Sequence, residues 1–172
     1  LWFEPESRVP DNLKSSNPDW LLQHPIKQNS KMMDLSKEEV RTYLLNMVSG
    51  FMNLSGFRAY RQDFNQHPLS FWKNSDAPDR RGITEIKYMM GLYEYWRQIR
   101  ERWPDVFMVG CSSGGRRIDL ETISHFHTHQ KSDYKFDDEV NQSVIWALSR
   151  YLPNHTIMVP VESMNSYHIY SA

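Results

Sequence analysis

Two solitary carboxylates set the chemistry that this chain can attempt. Asp63 lies within Tyr60-Arg61-Gln62-Asp63-Phe64-Asn65, and Asp133 follows seventy residues later in Lys131-Ser132-Asp133-Tyr134. Such a pair suits double displacement at an anomeric carbon: one acid attacks the carbon, the other protonates the departing oxygen, and the two stand about 5 Å apart across the sugar ring. The spacing agrees with a strand-helix repeat. A (β/α)₈ barrel spends about 30 residues on each unit, so seventy residues carry the second acid two strands further along the same rim. Each Asp follows a predicted strand and precedes a loop, where catalytic groups of parallel-sheet proteins stand; a helix N-cap or a solvated loop acid is the alternative for each.

Three other segments carry reactive side chains. Cys111-Ser112-Ser113-Gly114-Gly115-Arg116-Arg117 reads as a turn whose glycines admit close backbone approach to a ligand, cradle a phosphate, or only lead into the next helix. Phosphate is the least supported, since G-x-x-x-x-G-K-[ST] is missing. Cys111 reads as a half-buried structural thiol, because a nucleophilic role needs an activating His beside it. Arg116 and Arg117 can hold substrate hydroxyls or pair with Asp119 and nearby acids. His125-Phe126-His127-Thr128-His129 is the rival signal: alternate strand residues face one way, so His127 and His129 could share a metal with ligands from other strands. Of the remaining histidines, His67 and His155 fall near predicted strand ends.

The elements that must position these groups follow from periodicity. Ser36-Lys37-Glu38-Glu39 is a capping-box pattern that opens an amphipathic helix with Val40, Tyr43, Leu44, Met47, Val48 and Phe51 on its face. Phe57 to Asp63 reads as a strand delivering Asp63 to its C-terminal end. A long polar loop, Asn65 to Arg81, is expected to expose Phe71 and Trp72. A helix spans Ile83 to Trp103 with Met89, Leu92, Trp96, Ile99 and Trp103 on one face, and Pro104 stops it. Strands are predicted at Val106–Gly110, Phe126–Ser132 and Thr156–Val161, a short helix from about Asp119, and a longer one over Asp137–Tyr151 with Val140, Val144, Ala147, Leu148 and Tyr151 inward. Strands alternating with helices imply an α/β fold with a parallel sheet, either a barrel or doubly wound. There is no internal repeat, low-complexity tract or interdomain linker, so residues 1–172 read as one domain or part of one.

Composition removes several function classes. The 172 residues are 40% hydrophobic and 24% charged with a net charge of −1, so no field collects nucleic acid, and no apolar run approaches the ~20 residues of a spanning helix. Neither a nucleic acid nor a membrane is expected as partner. A single cysteine excludes an intramolecular disulfide and leaves the compartment open. Asn53, Asn141 and Asn154 begin glycosylation tripeptides that matter only in a secreted eukaryotic protein. Six Trp, nine Tyr and eight Phe suit either an ordinary core or a groove whose rings cover the C–H faces of a pyranose; Trp2 and, from its loop, Trp72 are the candidates for stacking on sugar.

Taken in order, Leu1-Trp2-Phe3-Glu4-Pro5-Glu6, Tyr60-Arg61-Gln62-Asp63-Phe64-Asn65, Cys111-Ser112-Ser113-Gly114-Gly115-Arg116 and Ser132-Asp133 resemble the α-galactosidases of glycoside hydrolase family 36, over essentially the whole chain. In that family a W-x-E-P-E strand leads to H-P-D-W or similar, here Pro18-Asp19-Trp20-Leu21-Leu22. The family's K-W-D-M-N segment bears the nucleophile, and by that resemblance Asp63 takes the role, with Arg61 and Asn65 beside it binding sugar. Its C-x-S-G-G-x-R loop lines the sugar site and is matched by Cys111, Ser113, Gly114, Gly115 and Arg117. Its W-x-S-D segment carries the acid/base, which implies Asp133. This chain departs from the pattern at Arg61 for Lys, at Gln62 for Trp, and at His129-Gln130-Lys131 in place of an aromatic context.

The resemblance implies an incomplete (β/α)₈ TIM barrel, about strands 3 to 7, cut from a longer catalytic domain; the start at Leu1, running straight into a strand, fits such a cut. It implies a retaining α-galactosidase-like hydrolase acting on an oligosaccharide or glycoside, with no metal or organic cofactor, and with an oligomer possible. α-N-Acetylgalactosaminidase activity, glycosyl transfer, a non-catalytic sugar-binding relic and a metal-dependent hydrolase are the alternatives. With two raw sheet edges, the isolated chain is expected to be inactive and prone to aggregate.

Overall fold

The structure, a computed structural model, describes every residue except Ser55, Lys135, Phe136, Val159, Pro160, Glu162 and Ala172. Its elements run β1 (Trp2–Phe3), α1 (Asp11–Ser16), β2 (Leu21–Gln23), β3 (Lys31–Met33), α2 (Glu38–Met52), β4 (Ala59–Gln62), α3 (Leu69–Ser75), α4 (Ile83–Arg102), β5 (Phe107–Gly110), α5 (Leu120–His125), β6 (Thr128–Gln130), α6 (Asp138–Leu148), β7 (Ile157–Met158) and α7 (Ser166–Ser171). Two compact units divide them. One comprises Leu1–Trp2, Ala59–Asp63 and Phe107–Ala172, the other Phe3–Arg58 and Phe64–Val106.

The first unit holds a sheet in the order β1-β4-β5-β6-β7. The pairs β4–β5, β5–β6 and β6–β7 are all parallel, so the α/β class with a parallel sheet is as the strand-helix alternation predicts. The sheet is open, with β1 and β7 at its edges. β6 is shorter than Phe126–Ser132, and His127 lies before it, outside the strand. Of the predicted strand Thr156–Val161, β7 occupies Ile157–Met158, while Val159 and Pro160 fall outside the described residues. Asp119 caps α5 by accepting from the Thr122 N–H, and Asp137 caps α6 by accepting from the Val140 N–H. α6 ends at Leu148, three residues early, and among its described side chains Asn141 is the buried one; Val140 and Tyr151 of the expected apolar face are exposed.

The second unit buries the amphipathic faces of α2 and α4. α2 starts at Glu38, yet the capping box is not made: the Ser36 hydroxyl donates to Asp34 Oδ1 at 2.6 Å, and Lys37 at the N-cap makes no side-chain cap. The buried stripe is Val40, Leu44, Leu45, Val48 and Met52, while Phe51 is 44% exposed. α4 buries Tyr88, Gly91, Leu92, Tyr95, Trp96 and Ile99, and Trp103 caps its end just before Pro104. β2 and β3 form an antiparallel hairpin that carries Leu22, Met32 and Met33 into the core.

The segment from Asn65 to Arg81 is not the exposed loop that its polarity suggests. It contains α3, which buries Phe71 and Trp72, the latter only 7% exposed, with its ring 5.4 Å from that of Tyr88. Aromatic burial outweighs local polarity here, since each ring removes on the order of 150–250 Å² from water. The rest of the segment is tied by Asp76, which accepts from the N–H groups of Gly82 and Thr84 at 2.6 and 3.0 Å and so caps α4. These bonds, with the Thr84 side chain first, hold the Asp76 carboxyl below its ordinary range. Among the described residues no helix is long and apolar enough to cross a membrane.

Two helical glycines make opposite demands. A Cβ on Gly91 would stand 1.9 Å from the Leu35 carbonyl oxygen, whereas one on Gly50 would meet nothing within 4 Å. Gly91→Ala is therefore expected to destabilise by about 1–3 kcal/mol through overpacking, and Gly50→Ala to stabilise by roughly 0.5–1 kcal/mol through helix propensity. Urea denaturation of the two variants against the parent checks both signs.

Candidate active site

Register brings the candidate residues of the first unit to neighbouring strand ends. Gln62, the last residue of β4, pairs with Gly110, the last of β5, and Gly110 pairs in turn with His129 of β6. Asp63 and Cys111 therefore leave the sheet side by side, joined by a bond from the Cys111 N–H to the Gln62 carbonyl at 2.8 Å. Asp63 is 5% exposed, and its Oδ1 accepts from the Ser113 N–H at 3.2 Å. Beneath it, the buried Tyr60 hydroxyl donates to Gln62 Oε1 at 2.7 Å. Gln62 is thus a buried hydrogen-bonding residue of the strand.

The glycines after Cys111 have a reason that the sequence does not display. Ser113 and Gly114 take positive φ angles of 44° and 79°. A Cβ on Gly114 would stand 2.8 Å from the Asp133 amide nitrogen, and one on Gly115 would stand 2.2 Å from the Lys131 carbonyl oxygen. The turn is pressed on the backbone of the segment that ends in Asp133, so close approach is made to a neighbouring strand end. Asp63 and Asp133 consequently bracket one turn: the first binds its Ser113 N–H, and the second abuts its Gly114. Arg116 folds back on the turn, donating from Nη2 to Ser113 Oγ at 2.7 Å; Arg117 is half-buried.

Arg61 and Gln130 join the two ends across the sheet. The Arg61 Nη2 donates to Gln130 Oε1, and Gln130 Nε2 donates to Asp133 Oδ1 and, at 3.4 Å, to the Ser132 carbonyl. The same guanidinium lies 5.1 Å over the ring of Trp2, which is 68% exposed, and reaches Met158 Sδ at 3.9 Å. Gln130 enters the sequence reading only as a departure from an aromatic context. The signal that marks it is its place at the end of a strand, three residues before an acid.

Asn65 and Trp72 belong to the second unit. The Asn65 N–H donates to Glu4 Oε1 at 3.0 Å. Trp72 lines a cavity of about 400 Å³ with Leu69, Lys73, Asp76 and Arg81. Its burial removes the loop exposure on which its reading as a sugar platform rests, and its Nε1 is enclosed without a partner among the described residues. In the same unit Glu6 is fully buried and accepts from the Tyr88 hydroxyl at 2.6 Å.

The histidine run is not an alternating pair. His127 is exposed, stacks on Phe107 with centroids 5.0 Å apart, and its Nδ1 accepts the Met108 N–H. His129 is buried against Phe126, and its ring leaves no room for a side chain at Gly110. Among the described residues no group of three or more His, Cys, Asp and Glu could hold a metal ion. Lys131 is buried with its Nζ on Asn141 Oδ1 at 3.1 Å, and burial lowers its pKa.

The chain matches the family described as Melibiase over residues 1–168, and it belongs to that family. Within it, the chain is similar to part of the α-galactosidases of glycoside hydrolase family 36. It is 31% identical over 125 residues to α-galactosidase AgaA of Geobacillus stearothermophilus, covering 69% of this chain and 17% of the relative. It is 30% identical to a probable α-galactosidase C of Aspergillus flavus, covering 77% of this chain and 17% of that one. Among solved structures, AgaA in complex with raffinose aligns with a TM-score of 0.81 at 26% identity, over 94% of this chain and 23% of that chain. The Lactobacillus brevis α-galactosidase shares the fold at a TM-score of 0.82 and 23% identity, over 96% of this chain and 23% of that one. The chain thus spans about a fifth of the length of these relatives.

Two titrations follow from this geometry. Burial first, and then the hydrogen bond and negative charge of Asp63, push the Cys111 thiol up to about 11, so it is a neutral thiol throughout pH 7–9. Asp63→Asn removes the charge that opposes the thiolate, and alkylation of Cys111 by iodoacetamide at pH 8.5 (about) is expected to accelerate severalfold; an unchanged rate would count against the contact. Burial likewise pulls His129 down to about 4. A neutral imidazole is favoured in the fold, so stability is full above the unfolded value near 6.5 and declines as pH falls from there towards about 4. His129→Gln should flatten that slope in urea midpoints measured from pH 7 to 4.

Proposed function

We propose that this chain is the central part, about strands 3 to 7, of a (β/α)₈ retaining α-galactosidase, and that Asp63 and Asp133 are its two catalytic carboxylates. The observation that carries the reading is that both residues flank one turn, with the Asp63 carboxylate on the Ser113 N–H and the Asp133 backbone against Gly114. Membership of the melibiase family supports the sugar, and the relative crystallised with raffinose supports an α-galactosyl oligosaccharide as the substrate class.

In this reading Asp63 attacks the anomeric carbon as the carboxylate. The C1–O bond to the aglycone breaks with its electron pair on oxygen, and Asp133 gives that oxygen its proton. Asp133, now ionised, takes a proton from water as the water oxygen displaces Asp63 from C1, which returns the starting state with net retention. Burial of Asp63 removes competing water from the nucleophile, while exposure of Asp133 leaves its outer oxygen open to a leaving group and then to water. Arg61, Cys111, Gly114, Gly115 and Arg117 would bind the sugar. The chemistry needs no metal or organic cofactor.

Azide separates the two roles in the longer polypeptide. Asp63→Ala should lose turnover by orders of magnitude and, with azide present, convert an α-galactoside with a good leaving group into the β-galactosyl azide. Asp133→Ala should instead form the α-galactosyl azide through the covalent intermediate. Full activity of Asp63→Ala, or the reverse pattern of anomers, would overturn the assignment.

A further inference from the structure

We propose that Gln130 is a positioning residue that ties the Asp133 carboxylate to the fixed guanidinium of Arg61 and so holds Asp133 for proton transfer to the leaving oxygen. The inference rests on the reading of Asp133 as the acid/base and assigns a duty to a position where this chain departs from the family's aromatic residue.

The chemistry of the three groups dictates the bridge. A guanidinium only donates and a carboxylate only accepts, so a neutral side chain between them must accept on one side and donate on the other. A primary amide does both: Gln130 Oε1 takes the Arg61 Nη2–H, and Gln130 Nε2 gives its hydrogen to Asp133 Oδ1. The same requirement fixes which end of the amide is oxygen. An indole in this place has a donor and no acceptor, and would leave the Arg61 N–H unmatched.

The bridge stands on a rigid post. Arg61 lies in mid-strand on β4, its N–H bonded to the Leu1 carbonyl at 2.8 Å, with its side chain against Trp2 and Met158. Gln130 is the last residue of β6. Asp133 sits three residues on, exposed and outside any strand. Among the described residues, Gln130 is the side chain that holds it by hydrogen bonding. A loop carboxylate without such a tie samples several rotamers, and misplacement by about 1 Å can cost on the order of a hundredfold in rate.

The test uses the longer polypeptide and two substrates: raffinose, whose sugar leaving group needs a proton, and an aryl α-galactoside with a strongly acidic phenol, which leaves without one. Because kcat/KM reports formation of the glycosyl-enzyme, Gln130→Met, nearly isosteric and unable to bridge, should lower it for raffinose by about ten- to a hundredfold and leave it within about threefold for the aryl substrate. Gln130→Glu keeps an acceptor for Arg61 but offers none of the donors that Asp133 requires, and should show the same selectivity; it also stands in should the Met variant fail to fold. Neither change should cost anything further on an Asp133→Ala background. Equal losses on both substrates, or losses that add fully to those of Asp133→Ala, would refute the positioning role. If Asp133→Ala itself shows no selectivity for the leaving group, or the parent turns over neither substrate, the acid/base reading falls and takes this proposal with it; a selective Asp133→Ala beside an unselective Gln130→Met sinks the proposal alone.

Discussion

The candidate site depends on the parallel register of β4, β5 and β6. Gln62, Gly110 and His129 form one row across the sheet, so the residues just beyond it emerge at a common level. Side chains alternate along a strand, and a slip of one residue would send each to the opposite face. In the observed register Arg61 and Gln130 meet on one face. His129, between Gln130 and Thr128, turns to the other and is buried against Phe126. The same row places Asp63 next to Cys111 and sets the start of the turn that follows.

That turn shows how tightly sheet and chemistry are coupled. Gly114 and Gly115 allow the backbone after β5 to touch the backbone after β6, at distances that no side chain would permit. A buried carboxylate on one side of the turn accepts a backbone N–H, which compensates part of its desolvation. The Cys111 thiol, held neutral by burial and by Asp63, adds polarity without adding charge.

Legibility in the sequence varied with the range of the cause. The strands at 57–63 and 106–110 and the helix ended by Pro104 follow from local apolar runs and a local breaker, and they stand within a few residues of expectation. Ser36 failed as a cap because Asp34, two residues back, took its hydroxyl, a competition within one turn of chain that the capping pattern does not encode. Phe71 and Trp72 are buried against expectation for another reason. Their neighbours are polar, but α3 turns both rings inward, and the partner of Trp72 is Tyr88, sixteen residues away on α4. The β2–β3 hairpin leaves no signal in the sequence, because three-residue strands give too short an alternation to read.

By itself the sequence determined the chemical inventory, the α/β class and the ordered motifs that place the chain in its family, because composition, periodicity and spacing are properties of the chain alone. It also supplied Gly114 and Gly115 without their purpose. Tertiary structure decided which groups meet: it put the glycine turn against Lys131–Asp133, moved Trp72 from an imagined surface into a core, and joined Arg61 to Asp133 through Gln130. Those outcomes depend on strand register and on contacts between residues up to about seventy positions apart, and no local pattern carries that information.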